Sequence, residues 1–161
     1  MKYKSKNNKG FSLVELIVVV LIMAIIAVAL APQVMKWVEN SRIASDMETR
    51  NDLEEMCQLA LANEYVFEHV KEGGYTITLT KDSTGKTEVD CVNASLTSDP
   101  AFWDKFFAIG GYADYQDFKD NIQLKSTPVS ANQVVLKVYV YEDGHTFSSL
   151  TGCASADLHV S

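Results

Sequence analysis

Gly10-Phe11-Ser12-Leu13-Val14-Glu15-Leu16 opens a stretch that stays apolar through Ala31 and ends at Pro32. Among the 21 residues from Phe11 to Ala31, Ser12 and Glu15 alone are not apolar. At about 1.5 Å rise per residue such a helix spans roughly 30 Å, the thickness of a bilayer hydrocarbon core. Beyond Glu15 it is apolar on every face, as suits burial in lipid or among other helices. In front of it, Met1 to Lys9 carries Lys2, Lys4, Lys6 and Lys9 and no acid. Basic residues favour the cytoplasmic side, so the rest of the chain is expected to lie outside.

An ordinary secretory signal also has a basic start and an apolar run, and Ala29-Leu30-Ala31 has the small-x-small form of its cleavage site. Against it, the run is longer than a usual signal core, Glu15 interrupts its beginning, and Pro32 would directly follow the cut. A plain single-span anchor accommodates the length but leaves Glu15 unexplained. A carboxylate in hydrocarbon costs roughly 2.5–3.5 kcal/mol on insertion scales and is usually paired. Two readings stand: Glu15 reaches headgroup water at the interface, or it pairs with a cation on another chain.

The segment Lys9-Gly10-Phe11-Ser12-Leu13-Val14-Glu15-Leu16, with its apolar continuation and Pro32, resembles the N-terminus of a type IV prepilin. The likeness is specific over residues 9–40 and only architectural beyond. It implies cleavage after Gly10 by a membrane-embedded prepilin peptidase and N-methylation of the new first residue, Phe11. It implies that Glu15 neutralises the Phe11 amine, in a neighbouring subunit or its own. Pro32 matches the position where the helix of many such filaments loses its order, consistent with a residue that lacks an N–H and disfavours helix before it.

The resemblance further implies a structural subunit that is not an enzyme and needs no cofactor. It would be stored in the cytoplasmic membrane, polymerise helically with itself and be displayed at the cell surface in adhesion, twitching motility and biofilm. Its partners would be membrane lipid before assembly, the peptidase, the assembly platform with its ATPases, and minor pilins. The nearest alternative is a pseudopilin of a type II secretion or DNA-uptake machine. Major secretion pseudopilins commonly hold calcium near the C-terminus, and here residues 151–161 offer only Asp157 as an acid. A third reading is a single-span surface adhesin that never polymerises.

Residues 33–70 contain no Gly or Pro, and apolar residues recur at Val34, Trp37 or Val38, Met47, Leu53, Met56, Cys57, Ala60, Leu61, Tyr65 and Val70. Much of this spacing is three or four, which predicts an amphipathic helix. One helix from Phe11 to about Val70 would be roughly 90 Å long, stopped by Gly73-Gly74, with Glu54-Glu55 on its solvated face. Tyr75 to Thr80 alternates as a half-buried strand, and Lys86 to Val92 is its partner, with Val89 and Cys91 on one face. Asp99-Pro100 begins a helix carrying Phe102, Trp103, Phe106 and Phe107 as core. A second short helix is expected over 114–121. Val134 to Tyr141 and His145 to Leu150 form a hairpin around Glu142-Asp143-Gly144. The expected class is therefore α+β, a long helix packed on a small antiparallel sheet. Its organisation is a leader (1–10), an apolar half-helix (11–32), and an amphipathic half-helix with a globular head (33–161).

The net charge is −7, and removing residues 1–10 takes away four lysines and no acid, leaving −11. That balance argues against a nucleic-acid partner and suits a soluble exterior head. Three cysteines, Cys57, Cys91 and Cys153, permit at most one internal pair. By analogy with pilins whose C-terminal region is clipped by a disulfide, Cys91–Cys153 is a candidate. Cys57–Cys91, Cys57–Cys153 and three core thiols remain equally open. Neither the cysteines nor His69, His145 and His159 show metal-ligand spacing.

Overall fold

A computed structural model describes residues 11–68, 74–92, 100–129 and 133–153. The leader with Gly10, the Gly73 stop, Val70 and the Asp99 cap lie outside the described residues. Helix α1 runs Leu13–Leu61 and a short α2 spans Glu64–Glu68. Strands β1 (Tyr75–Lys81) and β2 (Thr87–Val92) follow, then helices α3 (Pro100–Gly110) and α4 (Tyr115–Asn121), then strands β3 (Val134–Val140) and β4 (Thr146–Thr151). The four strands form one antiparallel sheet in the order β2-β1-β3-β4. The fold is α+β, a 49-residue N-terminal helix and a four-stranded antiparallel sheet.

Period-two patterning sets the sheet. Tyr75, Ile77 and Leu79 of β1 face inward, as do Val134, Leu136, Val138 and Val140 of β3, all nearly without exposure. The register pairs Ile77 with Val138 and Leu79 with Leu136, so like faces coincide across the strands. The expected aromatic core is present: Phe102, Trp103, Phe106 and Phe107 are buried, and Phe102 stacks on Tyr75 at 4.2 Å between ring centroids. From α1 the core takes Ile43, Leu53, Met56, Cys57, Ala60 and Leu61. Gly74, with φ of 62°, enters β1 where a Cβ would collide with the Val140 carbonyl oxygen, which requires glycine twice over.

The helix is shorter than its spacing predicts. It ends at Leu61 instead of about Val70, because the Asn63 side chain accepts the Val66 N–H at 3.4 Å and starts a new helix there. The break resets the phase, so Val66 is buried and Tyr65, expected on the inner stripe, is 62 % exposed.

The chain divides into two compact units between Val38 and Glu39. In the first unit the large apolar side chains from Phe11 to Val38 all stand exposed. Pro32 lies inside α1 without ending it. Proline removes the N–H that would reach the Val28 carbonyl, a local weakness and not a terminus. Loss of order there therefore remains an expectation about an assembled filament.

Candidate functional site

The first turn of α1 contains the residues singled out by sequence. Phe11 is 86 % exposed, two residues before the helix. The Ser12 N–H donates to the Glu15 carboxylate at 2.9 Å, and the Leu16 N–H donates to the Ser12 carbonyl at 3.2 Å. Ser12 and Glu15 thus hold the spacing of a capping box, with the acid at the third helical position reaching back to the residue that opens the helix. A carboxylate here also faces the positive end of the helix macrodipole. Glu15 consequently has a partner within its own chain, and that partner is one residue from Phe11. Gly10 lies outside the described residues.

The span that follows is long and apolar enough to cross a membrane, and none of it is buried among the described residues. A soluble fold does not leave such a surface uncovered, since exposed apolar patches of this size mark membrane or protein contact.

In the second unit, α1 is fastened to the head by acids as well as by apolar contacts. Asp46 is fully buried and accepts the Lys125 N–H at 2.7 Å, the Ser126 N–H at 2.9 Å and the Ser126 hydroxyl. Glu39 accepts the Thr127 N–H at 2.6 Å and its hydroxyl at 2.8 Å. Three consecutive backbone N–H groups are therefore held by two carboxylates seven residues apart on one face of α1. From the other side, Lys81 Nζ donates to the Lys125 and Ser126 carbonyls at 3.2 and 3.0 Å. Glu54 accepts the Thr146 and Ser148 hydroxyls of β4 at 3.1 and 2.6 Å. It does not belong to the solvated face expected for Glu54-Glu55; only Glu55 is exposed. Sequence reasoning missed these fasteners, although Glu39, Ile43, Asp46, Leu53, Cys57 and Ala60 follow the inward spacing.

The cysteines are free and buried. Cys91 lies on edge strand β2, whereas Cys153 follows β4 at the opposite edge and bridges to Pro128. Two strands intervene, so at about 4.8 Å per strand the separation is roughly 14 Å, beyond the ~7 Å limit between Cα atoms of a disulfide. The Cys91–Cys153 candidate is therefore excluded by strand order.

Burial raises the Cys57 thiol strongly, with Cys91 and Glu54 adding to it, and lifts Cys91 from 9.0 to about 12, with Asp90 adding. Both thiols are held neutral by the fold. Their contribution is complete below the unfolded-state value near 9 and is lost as pH rises towards the folded values. Once the unfolded thiols ionise, each thiol forfeits about 1.4 kcal/mol per pH unit. Thermal unfolding of the head should therefore drop steeply between pH 9 and 11, and Cys57→Ala should flatten that slope. An unchanged slope would contradict this account.

The prokaryotic N-terminal methylation motif matches residues 5–31. No curated protein and no solved structure matches the chain. The chain thus carries the class III signal of type IV pilins together with a long N-terminal helix and a small antiparallel sheet.

Proposed function

We propose that the chain is a structural subunit of a type IV pilus, in which residues 11–32 first anchor it in the membrane and then bury themselves among identical helices. The methylation motif supports a protein of the type IV pilin or pseudopilin family. The observation that carries the reading is an apolar half-helix that stays exposed among the described residues, headed by that motif. The same all-round apolar surface suits lipid before assembly and a helix bundle after it.

In this reading the leader is cut after Gly10 and Phe11 becomes the methylated N-terminus. Cleavage would create a charged amine next to Ser12, whose N–H already binds Glu15. The carboxylate would then be in place to take the amine, in its own chain or a neighbour's. Prepilin peptidase, an assembly platform with its ATPases and minor pilins are the partners this pathway calls for. Adhesion, surface motility and biofilm are the roles such a filament would serve at the cell surface.

The mass of the N-terminal peptide, taken from native cells, tests the pathway. The expected result is a chain beginning at methylated Phe11. A chain beginning at Met1 in every membrane fraction would favour a static anchor, and one beginning at Pro32 an ordinary secreted domain. Electron microscopy of the same cells then separates long surface filaments from the short, secretion-bound assemblies of a pseudopilin.

A further inference from the structure

A cavity of about 560 Å³ opens on the head beside α3 and the start of α4. Its size is within the range of small-ligand sites. Four aromatic side chains line it: the half-buried Tyr112 and Tyr115, and Trp103 and Phe107, which belong to the core and are nearly without exposure. Trp103 and Phe107 stack at 5.8 Å, and Phe107 and Tyr115 are tilted at 6.4 Å. The charged side chains on the lining are Asp104 and Asp114, both exposed, and no lysine or arginine is among the lining residues.

The chemistry of this lining is selective. Aromatic faces carry negative charge density and attract cations, most strongly where water is partly excluded. Two carboxylates at the same opening add to that field. Asp114 spends one oxygen on the Asp117 N–H at 2.9 Å as the cap of α4 and keeps the other.

We propose that this cavity binds an organic cation of the quaternary or methylated ammonium class, held over the rings of Tyr112 and Tyr115 and steered by Asp104 and Asp114. All of its lining residues belong to the second unit, so the proposal does not rest on whether the chain polymerises.

The test uses the full chain in detergent micelles at fixed ionic strength. The chain has two tryptophans, Trp37 on the exposed surface of α1 and Trp103 on the cavity wall. In a Trp37→Phe background the emission of Trp103 reports occupancy. Choline is titrated against its neutral isostere 3,3-dimethylbutan-1-ol and against glucose. The expected result is saturable binding of choline at least about fivefold tighter than the isostere, the margin that a cation over aromatic faces provides. Asp104→Asn with Asp114→Asn should weaken choline at least about fivefold; asparagine retains the α4 cap, so the fold should persist. Tyr112→Leu should weaken choline more than the isostere. Equal affinity for choline and the isostere would reduce the cavity to an apolar slot and overturn the proposal. So would saturable binding of glucose alone, or no saturation by any of the three while the Trp103 emission stays native.

Discussion

Glu15→Ala is expected to abolish filament formation while leaving the subunit in the membrane. Two effects separate. In the bilayer, removing the carboxylate relieves an insertion cost of about 2.5–3.5 kcal/mol, so the membrane-held fraction should persist. In an assembled core, the amine created at Phe11 would lose its counter-charge, and a buried unpaired charge costs about 3–5 kcal/mol. The penalty recurs in every subunit, so elongation should fail and not merely slow. Glu15→Gln divides the carboxylate's two jobs. An amide oxygen can still accept the Ser12 N–H that Glu15 holds at 2.9 Å, but it cannot neutralise an ammonium. Failure of Glu15→Gln would assign the requirement to charge, whereas near-normal filaments would assign it to the start of the helix. Normal assembly of Glu15→Ala would remove Glu15 from both. Immunoblots of sheared filaments and membrane fractions, read together, distinguish these outcomes.

What the sequence made legible was local. An unbroken apolar run and strict alternation in residues 75–80 and 134–140 each encode one neighbour relation, and each reappears as expected. The features that escaped depend on partners far along the chain. Asp46 reads as one more polar residue of an amphipathic helix until residues 125 and 126 are laid over it, 79 and 80 positions later. Cys91 and Cys153 look pairable until the order β2-β1-β3-β4 puts them at opposite edges. The stop at Leu61 was missed: the continuing apolar spacing pointed to Val70, and the Asn63 cap shows itself only through its bond to the Val66 N–H. The cavity beside α3 combines residues whose neighbourhood is set by how α3 turns into α4 at Gly111, where φ is 75°.

Asp46 carries the largest stability effect expected in the head. Asp46→Ala leaves the Lys125 N–H, the Ser126 N–H and the Ser126 hydroxyl without their acceptor at a fully buried position. Each stranded donor costs about 1–3 kcal/mol, so a loss of roughly 3–5 kcal/mol is expected after relaxation. That is a large fraction of a domain stability of about 5–15 kcal/mol. Asp46→Asn should be nearly as severe, and the reason is geometric. One carboxylate oxygen serves Lys125 and the other serves Ser126, so an amide in either orientation turns N–H groups towards a donor. Were Asp46 valued only for its shape and packing, asparagine would be far milder than alanine. Glu48→Ala, on the exposed face of the same helix, should change stability by less than about 0.5 kcal/mol. Denaturant unfolding of the full chain in micelles, followed through Trp103, measures all three. A loss below about 1 kcal/mol for Asp46→Ala would mean that residues 125–127 are held by Glu39 and Lys81 without it. The expected loss would instead make one buried carboxylate the chief link between α1 and the segment that leads into β3.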